Sequence, residues 1–237
     1  MKAFKITLLI VFAFVSAGRQ AQADSVFAYS HMQPGPFTLP AGRLVYGTTL
    51  GYGITDFLQV STDVVRDVFK FFNASAKVSL IDFPEFALSP FLTFETYNLR
   101  DINDTNPDLR VNSWQPGLAT AVSLIPDQLA ALVSGRLNIT NQRLVTGGIQ
   151  KSGFLRGASF GSDLSWLYNP PQTEKKGAPK RGGNAVSAGF TYDVNYKLFG
   201  FGVSHHWPGF QLGIHYYPAA DKHPLFPIVS GGGSIAL

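Results

Sequence analysis

Cysteine is absent from the 237 residues, and charge is scarce: Asp, Glu, Lys and Arg together make up 14% of the chain, against about a quarter in an ordinary soluble domain. Without cysteine, neither a disulfide framework nor a thiolate metal site can form. Beyond the first twenty-odd residues there is no apolar run approaching the ~20 residues of a membrane-crossing helix. Helical periodicity is scarce too. Its best candidate, "DQLAALVSGRL" from Asp127, contains a glycine and runs into the β-branched "NIT". A phosphate-binding loop, a dinucleotide fingerprint and a metal-ligand cluster are also missing, so no cofactor and no metal is expected.

What the chain does have begins at its N-terminus. "MKAFK" is a short basic start, "ITLLIVFAFVSA" an apolar run, and "AQA" before Asp24 a small-x-small cleavage site. This is the layout of a secretory signal peptide over residues 1–23, leaving residues 24–237 as one exported domain. Cleavage removes Lys2, Lys5 and Arg19 and no acid, so the mature chain carries 16 basic and 15 acidic residues. The sequence pI near 9.3 therefore belongs largely to the precursor, and no nucleic-acid partner is expected.

Along the mature chain the recurring pattern has period two, the signature of strands with two unlike faces. Leu118, Thr120, Val122 and Leu124 face away from Gly117, Ala119 and Ser123. Phe160, Leu164, Trp166 and Tyr168 oppose Ser159, Gly161, Asp163 and Ser165. Val186, Ala188, Phe190 and Tyr192 oppose Ser187, Gly189, Thr191 and Asp193. Most segments run about nine to fourteen residues, longer than the ~5–6 of globular strands and suited to a tilted membrane-crossing strand of ~9–11. Connectors such as "ITD", "IPD" and "PG" fit hairpins.

The character of the two faces separates a soluble β-protein from a membrane one. The polar side is mostly Gly, Ser, Thr, Asn and Gln, whereas a water-facing surface would carry many Lys and Glu. Small neutral residues with isolated charges suit a crowded lumen, and Leu, Val and Phe suit lipid. Tyr46, Tyr52, Trp114, Trp166, Tyr168, Trp207 and Tyr216 mostly fall near segment ends, as rings do that form girdles at the bilayer interfaces. The expected lumen-lining charges are Asp63, Lys77, Glu95, Arg136, Asp163 and Asp193. Both signs are present, which favours paired charges filling a narrow interior over a one-sign selective ring.

The stretch "TLPAGRLVYGTTLGYGITDFLQVSTDV", Thr38 to Val64, resembles the opening of many uncharacterised, porin-like Gram-negative outer-membrane barrels, with "YGITD" as the turn between two strands. The resemblance covers about thirty residues. It implies an outer-membrane location and a β-barrel, and brings no catalytic residues with it. Such barrels often end in an aromatic residue; this chain ends in "SIAL".

The fold expected from all of this is an all-β, antiparallel transmembrane barrel. It has about twelve strands if Leu144 to Gln150 pairs separately, and ten otherwise; even numbers suit single-chain bacterial barrels. With twelve, the long connections Arg100–Asn112 and Asn169–Asn184 fall on one face.

The function expected is an integral outer-membrane barrel, structural or a narrow passive pore for small solutes, in contact with outer-membrane lipid and lipopolysaccharide. Two other classes stay open. "GVSHHWPG" could place Ser204 and His206 on one face as a nucleophile and base, which would make a lipid or lipopolysaccharide hydrolase. A "PG" hairpin there pairs His206 with Gln211 and His215 with Gly202, and that register places no acid, so the non-enzymatic reading is favoured. A soluble periplasmic β-sandwich or barrel with a binding role is the third class.

Overall fold

The computed structural model describes residues 35–68, 70–83, 85–102, 107–126, 128–146, 149–169, 184–194, 197–207, 210–216 and 228–236. The signal-peptide reading, on residues 1–23, lies outside them. The described chain is all-β apart from two one-turn helices. The opening strands are β1 (Arg43–Gly47), β2 (Thr49–Thr55) and β3 (Leu58–Asp63), then helix α1 (Val64–Val68). Next come β4 (Phe72–Val78), the two-residue bridge β5 (Ile81–Asp82), β6 (Phe86–Asn98) and helix α2 (Leu99–Ile102). The tall strands β7 (Asp108–Ile125), β8 (Leu129–Thr146) and β9 (Ile149–Asn169) follow. The chain closes with β10 (Asn184–Asp193), β11 (Leu198–Trp207), β12 (Phe210–Tyr216) and β13 (Ile228–Ala236).

All pairings are antiparallel and join the strands into one sheet. Neighbours in sequence pair except β4 and β5, β1 also pairs with β13 from Arg43↔Ala236 to Gly47↔Gly232, and β4 pairs with β6 from Phe72↔Thr96 to Lys77↔Phe91. Leaving aside the bridge β5, twelve strands therefore each have a hydrogen-bonded neighbour on both sides. Arg43 and Ala236 meet at the same rim, here the proximal rim; α1 and α2 sit at the opposite, distal rim.

The count of twelve is reached by a different division of the chain from that expected. The stretch Leu44 to Gly53 is two strands, because Gly47 takes a φ of 131° that a side chain would resist, and the chain folds back so that Leu44 faces Tyr52. Leu144–Gln150 is no separate strand: its first residues end β8 and its last begin β9, with Leu144 facing Lys151. The long connections consequently leave from opposite rims. The segment after β6 starts distally with α2 and ends at Asp108, whereas Asn169 and Asn184, which flank the second, pair at the proximal rim.

The period-two alternation decides the two faces. Leu118, Val122, Leu137, Phe160, Leu164, Trp166, Val203, Leu212 and Ile214 are exposed, while Ser89, Glu95, Gln115, Ser134, Asp163, Ser165, Ser187, Ser204 and His206 are buried. Relative to a water-soluble domain the arrangement is inverted: grease lies outside and hydroxyls, amides and charges inside. Among the described residues the buried apolar clusters are small: Ala87, Ala121, Ala130 and Leu132 in one, Leu167 and Ala185 in another.

Candidate functional site: the polar interior and its N-terminal segment

The interior holds three groups of side chains. The first is built around Glu95, buried on β6. Arg66 of α1 reaches in from the distal rim and places Nη2 3.0 Å from Glu95 Oε1. Gln115 Nε2 donates to Glu95 Oε2 at 3.3 Å. Ser113 connects on to Thr140, whose Oγ1 lies 3.1 Å from its Oγ. A carboxylate in such a place requires a cation and donors, and here both come from neighbouring strands and the distal helix. Asp63 has the same strand parity as the interior residues but sits at the rim, where its Oδ1 accepts from the Arg66 amide at 3.1 Å and caps α1.

The second group lies on β9–β12. Ser165 and Ser187 oxygens are 2.7 Å apart. His206 Nε2 is 3.1 Å from Ser187 Oγ and 2.8 Å from Ser204 Oγ. Gln211 lies directly across from His206, as its register requires. One row away, Asp163, Gly189, Gly202 and His215 face one another across four strands. The Asp163 carboxylate lies over Gly189, where a Cβ would fall 1.6 Å from its Oδ1 and 2.5 Å from the Ser162 carbonyl oxygen. Gly189→Ala is expected to destabilise the folded protein by about 1–3 kcal/mol through this overpacking, read as a lower urea midpoint for unfolding from detergent or lipid.

The third group is the chain itself. Residues 35–40, ahead of β1, run along the interior of the proximal half. Lys77 Nζ donates to the Gly35 carbonyl at 2.9 Å, Ser89 Oγ to the Pro36 carbonyl, and the Leu39 amide to Gln59 Oε1 at 3.0 Å. Phe37 packs on the Ala87–Ala121–Ala130–Leu132 cluster, and Pro36 is fully buried. Asp56, in the β2–β3 turn, ties the segment to the rim by accepting the Ala41 amide at 3.0 Å.

Of the six charges expected to line the interior, Glu95 and Asp163 are buried there, Lys77 binds the N-terminal segment, and Arg136 donates from Nε to Ser159 Oγ at 3.0 Å. Asp193 ends β10 at the distal rim and, like Asp63, is only half-buried. The seven aromatics expected to form interfacial girdles are all exposed. On β9–β12 the outward rings form two contact chains. Trp166, Tyr168, His205, Trp207 and Phe210 run along the proximal side. Phe160, Phe190, Phe199, Phe201 and Tyr216 run along the distal side.

Sequence reading missed the N-terminal segment and Arg66. Phe37 and Leu39 alternate between prolines in "GPFTLP", a pattern for buried extended chain, but nothing local says which surface receives it. Among the described residues no group of three or more His, Asp or Glu is placed to hold a metal ion.

Comparison with family models, curated proteins and solved structures returned no match to this chain.

Proposed function

We propose that the protein is an integral outer-membrane β-barrel, with a narrow interior that admits small solutes at most. The observation that carries this reading is the inversion of the two faces. An exposed apolar wall of this extent is unfavourable in water and is what a lipid-facing barrel surface requires. The double-sided pairing of twelve strands supports it, since a sheet in hydrocarbon cannot leave an edge unpaired. So do the two aromatic chains, separated along β9 and β11 by about four to eight residues, or ~13–26 Å of strand. Both termini of the circuit lie at the proximal rim, as an even strand number demands. The interior is crowded by the Arg66–Glu95 network and by residues 35–40, which argues for a structural role or a narrow passage over a wide channel.

Fractionation with a heat-modifiability gel tests the architecture: the mature protein is expected in the outer-membrane fraction, migrating differently before and after boiling. Recovery in the soluble fraction without detergent would sink the reading and favour a soluble periplasmic protein. The 2.8 Å contact between Ser204 Oγ and His206 Nε2 is the one observation that favours an enzyme, since nucleophile and base must lie within hydrogen-bond reach. Both groups are nevertheless buried on the polar face, away from lipid, and Ser187 shares the same nitrogen. Purified protein is expected to show no lipid-ester hydrolysis, and Ser204→Ala to leave that background unchanged. Turnover abolished by Ser204→Ala would instead establish the hydrolase.

A further inference from the structure

We infer that the outer wall around β4, β6, β7 and β8 is a binding site for a lipid of net negative charge with a phosphate headgroup. The inference rests on the membrane reading above. Two features of that wall meet at Trp114. On one side of it runs an apolar groove of about 470 Å³. The groove exists because β4, between Phe72 and Val78, turns only Ala74 and Ala76 outward. Leu92, Phe94 and Trp114 rise on one flank and Leu50, Tyr52 and Val60 on the other. Phe94 and Trp114 stiffen their flank by packing at a ring separation of 4.6 Å.

Distal to Trp114 the same outward face changes character. The row through Trp114 continues to Ile139 and Arg156. The next outward row is Asn112, Asn141 and Phe154, and the one after it Arg110, Arg143 and Ser152. Arg110 and Arg143 are thus direct cross-strand partners, an arrangement of like charges that weakens a sheet unless an anion lies between them. Asp108 accounts for only part of this charge: its carboxylate is 3.8 Å from Arg110 and also accepts from Asn98. Arg143 donates to the neutral Gln150 side chain. Arg156 stands 5.2 Å over the Phe154 ring, which holds a third guanidinium at the polar–apolar boundary.

Guanidinium pairs flanked by amide donors suit phosphate oxygens. The groove begins two strands from Arg110, about 10 Å sideways, so one lipid can place its phosphate at the arginines and an acyl chain over Ala74 and Ala76. A zwitterionic lipid fills the groove equally well but gains little from the arginines.

Trp114 reports on the site, because the other two tryptophans, Trp166 and Trp207, lie on β9 and β11 at the proximal side. The mature chain carrying Trp166→Phe and Trp207→Phe would be reconstituted in vesicles containing either brominated-acyl phosphatidic acid or brominated-acyl phosphatidylcholine. Trp114 is expected to be half-quenched at a fraction of the anionic lipid about 25-fold lower, at about fivefold for each of Arg110 and Arg143. Arg110→Gln with Arg143→Gln is expected to remove that preference while zwitterionic quenching persists. Ala74→Leu with Ala76→Leu, which fills the groove, is expected to lower quenching by both lipids. Equal quenching by the two lipids in the arginine-intact protein would overturn the site and leave the barrel reading standing. No quenching by either lipid, with the three native tryptophans also unquenched, would instead mean that the barrel reading itself fails.

Discussion

Gly53→Val is expected to raise ion conductance through the reconstituted protein, whereas Gly51→Ala leaves it at the wild-type level. The two glycines lie on the same buried face of β2, two residues apart, and differ in what covers them. A Cβ at Gly53 would fall 2.0 Å from the Pro40 carbonyl oxygen and 2.6 Å from that of Leu39. Both atoms are backbone, so the N-terminal segment must lift off the wall. Moving it breaks the Leu39–Gln59 bond and strains the Lys77 and Ser89 contacts to the Gly35 and Pro36 carbonyls. It also draws Phe37 from its alanine cluster. A Cβ at Gly51 meets Gln59 Nε2, Leu39 Cδ1 and Ser61 Cβ at 3.5 Å, ordinary contact distance. Planar-bilayer recordings on the two variants separate the outcomes. Wild-type conductance in Gly53→Val, with the variant still heat-modifiable, would show that residues 35–40 do not restrict the passage.

Val203→Arg is expected to cost about 2–4 kcal/mol of stability in a bilayer, the penalty for an arginine at the midplane of a barrel's lipid face. Val203 is 55% exposed, points outward between Ala188 and Ile214, and lies between the two aromatic chains. The matched control is Gly153→Arg, near the distal tip of β9, where an added side chain meets open space and no loss of stability is expected. Urea titration of the refolded protein in lipid vesicles measures both. If Val203→Arg is as stable as the control, the outward face does not meet hydrocarbon.

The distal tip itself matters for interpreting such controls. β9 pairs with β10 only from Ser159 onward, so residues 149–157 are held by β8 alone on one side. Substitutions there report on a hairpin that stands beyond the paired circuit, and they leave the wall between the aromatic chains undisturbed.

Sequence alone determined the face of nearly every strand residue. Alternation is a local property: side chains i and i+2 share a face whatever the neighbours do, so the outward Phe160–Leu164–Trp166 and inward Ser159–Asp163–Ser165 sets were legible at once. The pairing of His206 with Gln211 was legible for the same reason, because a two-residue turn leaves a hairpin a single register. Strand boundaries were less so. The fold-back at Gly47 depends on a φ that glycine permits but does not require, and Leu144 to Gln150, read as one strand, contains the Gly-Gly dipeptide of a hairpin across which Thr146 pairs with Ile149. Only the tertiary structure decided what fills the interior. Arg66 meets Glu95 across 29 positions and Lys77 meets Gly35 across 42. Contacts of that separation follow from the order of strands in the sheet, which no local spacing encodes. The same holds for the outer wall, where Ala74, Trp114 and Arg143 become neighbours only when β4, β6, β7 and β8 stand side by side.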